Sequence, residues 1–142
     1  MVTCFKEHCY EQDRWNLNCL PTSDGSLLQY LGKQIEGVMV PWLYVGMAFS
    51  AFCWHNEDHY LYSINYHHAG SPKRWYGVPG DEAVRFEGAV QDMFPELFEA
   101  HPDLLMQLVT MAHPSDLCKR GVNVACTTQR EGDFVVTFPQ VY

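Results

Sequence analysis

The chain has 142 residues, and 9 lysines and arginines face 17 aspartates and glutamates, which gives a formal net charge of −8. A hydrophobic fraction of 47% and an aromatic fraction of 14% exclude a disordered chain. The acidic balance, without a basic stripe, argues against direct nucleic-acid binding. It would suit a basic peptide such as a histone tail, although an ordinary soluble acidic protein carries the same charge.

The N-terminal residues are too polar for a signal peptide. The longest uncharged run, residues 38–54, is shorter than the roughly 20 residues that span a bilayer and contains Pro41. We therefore predict a buried strand there and no membrane segment. The six cysteines include no Cys-x-x-Cys pair, which indicates reduced thiols in an intracellular protein. Cys4, His8 and Cys9 could bind zinc, but a chance cluster fits better because a second ligand pair is lacking.

The spacing of apolar residues changes along the chain, and the predicted secondary structure changes with it. Aromatic and β-branched residues predict strands at 42–49, 60–66 and 74–78. Between 81 and 111 the apolar residues recur at three- and four-residue steps, which predicts helices that Pro102 should separate. Residues 133–138 predict a final strand. Strands, a helical insert and further strands predict a mostly-β sandwich or barrel with an elaborated connection.

The chemistry concentrates around His55 and Glu57. On a strand, residues two apart face the same side, so this imidazole and carboxylate would project together. They would supply two-thirds of the facial triad of two histidines and one carboxylate that holds non-haem iron(II). A bare His-x-Glu is weak evidence, since most such pairs are surface coincidences.

Four neighbouring residues strengthen the prediction of a metal site. Ser63 and Asn65 lie an even number of residues from His55, so their side chains can face the same interior if the turn between them and His55 preserves the strand register. Lys73 and Trp75 lie two apart on the next predicted strand. A buried lysine needs an anionic partner, which a dicarboxylate could supply. Alternatively, Lys73 reaches solvent at a strand end, as most lysines do.

Several ordered motifs resemble one family. Residues 40–80 closely resemble the JmjC domain of histone lysine demethylases, and the JARID subfamily, with its plant relatives, matches best. The flanking motifs that agree are Trp15-Asn16-Leu17-Asn18, Pro95-Glu96-Leu97-Phe98, Pro102-Asp103-Leu104-Leu105 and Gly132-Asp133-Phe134-Val135-Val136-Thr137-Phe138-Pro139. The resemblance implies a double-stranded β-helix, the cupin-like jelly roll.

The resemblance also implies roles for the candidate residues. It makes His55 and Glu57 ligands of Fe(II), and places the third ligand, a histidine, directly after Tyr142, where this sequence stops. The implied cosubstrate site for 2-oxoglutarate has Lys73 on its distal carboxylate, and its other lining residues are Phe52, Ser63, Asn65 and Trp75. Tyr44 would help to form the methyl-lysine pocket. We thus expect an irregular segment at 1–14 and a partial JmjC domain at 15–142 that lacks its C-terminal strands.

The implied reaction is an oxidative demethylation. With Fe(II), 2-oxoglutarate and O2, an N-methyl group on a lysine of the histone H3 tail would be hydroxylated and lost as formaldehyde. The implied setting is the nucleus, with chromatin complexes as partners, and activity of this chain alone stays open. The alternatives are a catalytically dead JmjC scaffold that binds chromatin partners, and a protein hydroxylase on the same fold.

Overall fold

The computed structural model describes residues 13–107 and 109–142, and these divide into two compact units, one up to Ser50 and one from Ala51 to Tyr142. In the described part, no helix has the length and apolar character that crossing a membrane requires. The four cysteines within it are free, as predicted. Cys4, His8 and Cys9, the zinc cluster considered above, lie outside the described residues.

The first unit contains short turns rather than sheets. Its 3-10 turns span Leu20–Thr22 and Leu27–Tyr30, and the Ser26 hydroxyl caps the second by accepting from the Leu28 amide at 3.2 Å. The strand predicted at 42–49 is wrong: residues 41–50 form no strand, and all are exposed. The same observation overturns the buried strand predicted for 38–54. A strand exists only when a neighbouring segment pairs with its backbone, and no described residue pairs with 42–49.

The second unit places strands on both sides of a helical insert, in the order that the sequence predicted. Strand β1 is Ser63–Tyr66 and β2 is Lys73–Gly77. Helices α1 (Ala83–Met93), α2 (Pro95–Ala100) and α3 (Pro114–Lys119) follow. The unit ends with β3 (Ala125–Gln129) and β4 (Phe134–Thr137). Helix α3 and strand β3 were not predicted from the sequence.

The four strands form two antiparallel pairs, and in each pair one strand precedes the helical insert in the chain and the other follows it. Strand β1 pairs with β4, with Ser63 opposite Thr137 and Asn65 opposite Val135. Strand β2 pairs with β3, with Lys73 opposite Gln129. The strand predicted at 60–66 therefore starts later than expected. Residues Asp58–Tyr60 form a 3-10 turn, in which His59 and Tyr60 have left-handed φ values of 55° and 53° that no strand can contain.

A proline separates α1 from α2, but it is Pro95 and not the predicted Pro102. Pro95 begins α2 immediately after Phe94, which leaves the helical region at φ −133°. Because a proline ring clashes with the preceding turn, α1 cannot continue through this position. Helix α2 ends at Ala100, two residues before Pro102, and a 3-10 turn, Leu104–Gln107, follows.

The hydrophobic core of this unit lies against α1. Phe86 and Val90 are fully buried, with Val78 before the helix and Leu117 of α3 packed in the same cluster. The last residue, Tyr142, joins the core by stacking on Phe86, with ring centroids 4.3 Å apart. Its backbone exchanges two hydrogen bonds with Val78, at 2.8 and 3.1 Å. The core therefore ties the end of β2 to the end of the chain.

Gly80 permits this close approach. A Cβ at position 80 would lie 2.8 Å from the Pro139 carbonyl oxygen, closer than real Cβ atoms come to backbone. A side chain there would push residues 139–142 away from α1. The glycine therefore helps to fix where Tyr142 sits.

Candidate metal and cosubstrate site

The segment around His55 is anchored to the core by Trp54. The Trp54 amide donates to the Thr110 carbonyl at 3.0 Å, and its indole nitrogen donates to the Ala112 carbonyl at 2.8 Å. Its ring packs on Phe86 at a centroid distance of 5.4 Å. Trp54 thus holds the backbone immediately before His55, although residues 52–57 form no regular strand.

His55 and Glu57 project to the same side, as predicted. The His55 Nε2 and Glu57 Oε1 atoms are 4.0 Å apart, and both side chains are about one-third exposed, at 34% and 39%. The predicted same-side geometry is present, although the predicted strand is not. Extended backbone outside a sheet alternates its side chains in the same way. Glu57 itself is extended, with φ −74° and ψ 147°.

A backbone carbonyl sets the tautomer of His55. Its Nδ1 lies 2.8 Å from the Cys53 carbonyl oxygen. A carbonyl only accepts, so Nδ1 carries a proton and donates, and Nε2 is the ring nitrogen that faces Glu57. Metal-binding histidines are oriented by this kind of hydrogen bond.

The pair fits a metal ion after a small side-chain adjustment. With metal–ligand bonds of about 2.1 Å at a right angle, the two ligand atoms would lie about 3 Å apart. The observed 4.0 Å requires the two exposed side chains to close by about 1 Å. Within 13–107 and 109–142, no group of three or more His, Cys, Asp or Glu side chains forms a complete metal cluster.

Lys73 lies between two aromatic rings. Its ammonium nitrogen is 5.9 Å from the centre of the Phe52 ring and 5.8 Å from that of Trp75. The ring faces attract a cation, so the ammonium is held next to the segment that carries His55. Lys73 is half-buried, and none of the ion pairs among the described residues involves it. A half-buried cation in this setting can accept an anionic ligand.

Ser63 and Asn65 lie on the same face of β1, where the residue pattern predicted them. The Ser63 hydroxyl is hydrogen-bonded to the Thr137 hydroxyl across the strand pair. Asn65 accepts hydrogen bonds from the Gln129 side-chain amide, to its backbone oxygen at 3.0 Å and to Oδ1 at 3.2 Å. The predicted continuation of strand register from His55 is interrupted by the left-handed residues His59 and Tyr60.

Tyr44 belongs to the first unit. Its side chain is 51% exposed, and its ring lies 6.4 Å from that of Trp42 at an angle of 58°. An exposed aromatic ring is chemically suited to a methylated ammonium. Its assignment to the methyl-lysine pocket stays a prediction.

The sequence reading missed three residues that organise this region: Trp54, Gln129 and Tyr142. The Tyr142 hydroxyl donates to Glu87 at 2.9 Å. Burial raises the pKa of this phenol, and the hydrogen bond to Glu87 raises it further. The neighbouring Asn56 side chain lowers the pKa. Tyr142 therefore lies beside the residue between His55 and Glu57. Its position directly before the third ligand that the family resemblance implies was the one available signal.

Comparisons with known proteins show which family the chain resembles. Residues 42–142 match the model of the family described as JmjC domain, hydroxylase. The chain is 57% identical over 136 residues to the lysine-specific demethylase JMJ703 of Oryza sativa subsp. japonica, and 55% identical over 136 residues to the putative lysine-specific demethylase JMJ16 of Arabidopsis thaliana. It is 53% identical over 137 residues to lysine-specific demethylase 5D of Homo sapiens.

These alignments cover 96% of this chain, but only 11%, 11% and 9% of the three relatives, so the chain spans about a tenth of their length. The family match confirms the predicted fold class, a cupin-like fold that the two antiparallel strand pairs represent in part. The boundary expected at residue 15 stays a prediction. The chain belongs to the JmjC domain family of Fe(II)- and 2-oxoglutarate-dependent dioxygenases, among relatives that are lysine-specific demethylases.

Proposed function

We propose that this protein is an Fe(II)- and 2-oxoglutarate-dependent oxygenase that removes methyl groups from a lysine of the histone H3 tail. The observation that carries the proposal is the convergence of His55 and Glu57, with 4.0 Å between Nε2 and Oε1 and with Nδ1 committed to the Cys53 carbonyl. A surface coincidence would not require the backbone to orient the imidazole with Nε2 toward Glu57.

His55 and Glu57 are the proposed iron ligands. The family resemblance supplies a third, a histidine directly after Tyr142. One observation bears on this position: the Tyr142 backbone is held by two hydrogen bonds to Val78.

Lys73 is the proposed anchor for the distal carboxylate of 2-oxoglutarate. Phe52 and Trp75 exclude water from two sides of its ammonium group, which strengthens an ion pair with the ligand. Ser63 and Asn65 would donate hydrogen bonds to the cosubstrate. When bound, iron with 2-oxoglutarate and O2 supplies the oxidising power for hydroxylation of the methyl carbon.

The substrate assignment follows from the relatives and from the chemistry of the site. The relatives are named as lysine-specific demethylases. Oxidation at the methyl carbon needs no proton on the lysine nitrogen, so trimethyl-lysine is an allowed substrate. Tyr44 would contact the methylated ammonium, and the net charge of −8 favours a basic tail. A histone substrate places the protein in the nucleus, with chromatin complexes as partners.

The test is demethylation of an H3 peptide trimethylated at its fourth residue, with ferrous iron, 2-oxoglutarate and ascorbate, by a protein that continues past Tyr142 and includes the proposed third ligand. We expect formaldehyde release and a peptide that loses the mass of one methylene per cycle. His55→Ala should abolish both, by a factor of about 100 or more. His101→Ala, which changes an exposed histidine at the end of α2, is the matched control and should retain activity.

The same assay distinguishes the alternatives. The family description names a hydroxylase, and a protein hydroxylase would add the mass of oxygen to a peptide without releasing formaldehyde. A catalytically dead scaffold would bind the peptide and leave its mass unchanged. Either result would contradict the demethylase proposal.

A further inference from the structure

A single glutamine joins the two strand pairs beside the proposed cosubstrate site. Gln129 ends β3 and is 1% exposed. Its Oε1 accepts from the Trp75 indole nitrogen at 2.8 Å. Its Nε2 lies 3.0 Å from the Asn65 backbone oxygen, 3.2 Å from Asn65 Oδ1 and 3.2 Å from the Asp133 carbonyl. These bonds connect a residue of β2 to a residue of β1.

The indole determines the orientation of both amides in this chain of bonds. An indole N–H can only donate, so the Gln129 atom that faces Trp75 must be the carbonyl oxygen. The Gln129 NH2 group must then face Asn65. Because NH2 only donates, the Asn65 atom that faces it must be Oδ1. The NH2 group of Asn65 therefore points away from Gln129.

The same cluster contains the proposed anion anchor. Lys73 lies directly opposite Gln129 in the strand pairing, and its ammonium is 5.8 Å from the Trp75 ring. On the side turned away from Gln129, Asn65 presents two N–H donors rather than a carbonyl oxygen. A carbonyl oxygen in the same place would repel a carboxylate, so the orientation of the amide determines whether it attracts or repels the ligand.

We propose that Gln129 is a positioning residue for 2-oxoglutarate: together with Trp75, it holds the Asn65 side chain with its NH2 group toward the carboxylate of the cosubstrate. The inference rests on the proposed function, because Asn65 is a cosubstrate contact only there. Gln129 itself contacts no reacting atom. Its effect should therefore appear in cosubstrate affinity, and metal affinity should not change.

Two variants separate orientation from bulk. Trp75→Phe keeps an aromatic ring beside Lys73 and removes the N–H that fixes the Gln129 amide, together with part of the ring volume; Gln129→Met tests orientation without that loss of volume. Gln129→Met keeps the volume and removes every hydrogen bond of the side chain. Thr127→Val is the matched control, because Thr127 is an exposed residue of the same strand, directly opposite Trp75.

The dissociation constant of 2-oxoglutarate is measured by calorimetry with Mn(II) in place of iron, and that of Mn(II) alone is measured separately. We expect Gln129→Met to weaken 2-oxoglutarate binding about tenfold, since it loses an orientation worth roughly one hydrogen bond to a charged group. We expect Trp75→Phe to weaken it about threefold, since the bonds from Gln129 to Asn65 remain and only the bond that fixes the Gln129 amide is lost. Mn(II) affinity and the Thr127→Val variant should stay within about twofold of the unchanged protein. A variant that merely unfolded would lose metal and cosubstrate together.

A second readout does not depend on iron or turnover. In nitrogen-15 spectra, the Gln129 side-chain amide protons should be protected from exchange. The Asn65 amide protons should exchange freely until 2-oxoglutarate is added, and then shift. Trp75→Phe should remove the protection at Gln129.

The possible outcomes distinguish a failure of the inference about Gln129 from a failure of the proposed function. If both variants bind 2-oxoglutarate like the unchanged protein, and Lys73→Met does not, Gln129 is not a positioning residue and the proposed function stands. If the unchanged protein binds no 2-oxoglutarate, the proposed function fails and the inference fails with it. Unprotected Gln129 amide protons would overturn the amide assignment by themselves.

Discussion

Lys73→Met tests the proposed cosubstrate anchor. The substitution keeps most of the side-chain length and removes the charge that lies 5.9 Å and 5.8 Å from the centres of two aromatic rings. If Lys73 binds the distal carboxylate of 2-oxoglutarate, its loss should reduce cosubstrate affinity. The rings of Phe52 and Trp75 should be unaffected by the change.

The expected magnitude follows from the burial of the site. A hydrogen bond to a charged group contributes roughly 1.5–3 kcal/mol, and greater exclusion of water raises its contribution within that range. Phe52, one of the two walls, is 53% exposed. We therefore expect a loss of about 1.5–2 kcal/mol, which is a 10- to 30-fold weaker dissociation constant. The stability change should stay under about 1 kcal/mol, because each lost cation–π contact is worth roughly 0.5 kcal/mol and removal of a partly desolvated charge offsets it.

The assay is calorimetric titration of 2-oxoglutarate with Mn(II) in place of iron, with thermal unfolding measured on the same samples. Lys119→Met is the matched control, since this lysine is 72% exposed and its partner is the surface carboxylate of Asp116. The control should bind the cosubstrate normally. Lys73→Met binding that stays within about twofold of the unchanged protein would refute the assignment of Lys73 as the anchor.

Two further predictions concern the core that holds the site. Phe86→Ala should reduce the free energy of unfolding by about 3–5 kcal/mol in urea titrations, because the fully buried ring packs on both Trp54 and Tyr142. The exposed Val84→Ala on the same helix should change it by under about 0.5 kcal/mol, and equal losses would contradict this core. Tyr142→Phe should cost about 1 kcal/mol at neutral pH through the lost hydrogen bond to Glu87. The folded-state pKa of Tyr142 is raised. Its phenol therefore contributes fully to the free energy of unfolding below a pH of about 10, and this contribution is lost as the pH rises above that value. The free energy of unfolding of Tyr142→Phe should therefore depend less on alkaline pH than that of the unchanged protein.

Local patterns were sufficient for much of the second unit. The β-branched and aromatic residues near 74–78 and 133–138 predicted β2 and β4, and the spacing of apolar residues predicted helices between them. Helix α2 ends just before Pro102, but the break between α1 and α2 lies at Pro95, which was not predicted. His55 and Glu57 were predicted to share a side, and extended backbone places them so even without a strand. These features depend on neighbours within a few residues, which a pattern reading can detect.

Other features depended on partners distant in the chain. Residues 42–49 have a strong strand pattern but form no strand, because strand formation requires a paired backbone that residue type cannot supply. Strand β3 was missed because its residues, Ala125 to Gln129, are mostly polar and exposed. Nothing in the Thr-Thr-Gln run indicates that Gln129 is buried between Trp75 and Asn65, residues 54 and 64 positions away. The sequence named the groups that could bind iron and 2-oxoglutarate, whereas the direction of their donors and acceptors is set by hydrogen bonds between distant strands, which exist only once the chain has folded.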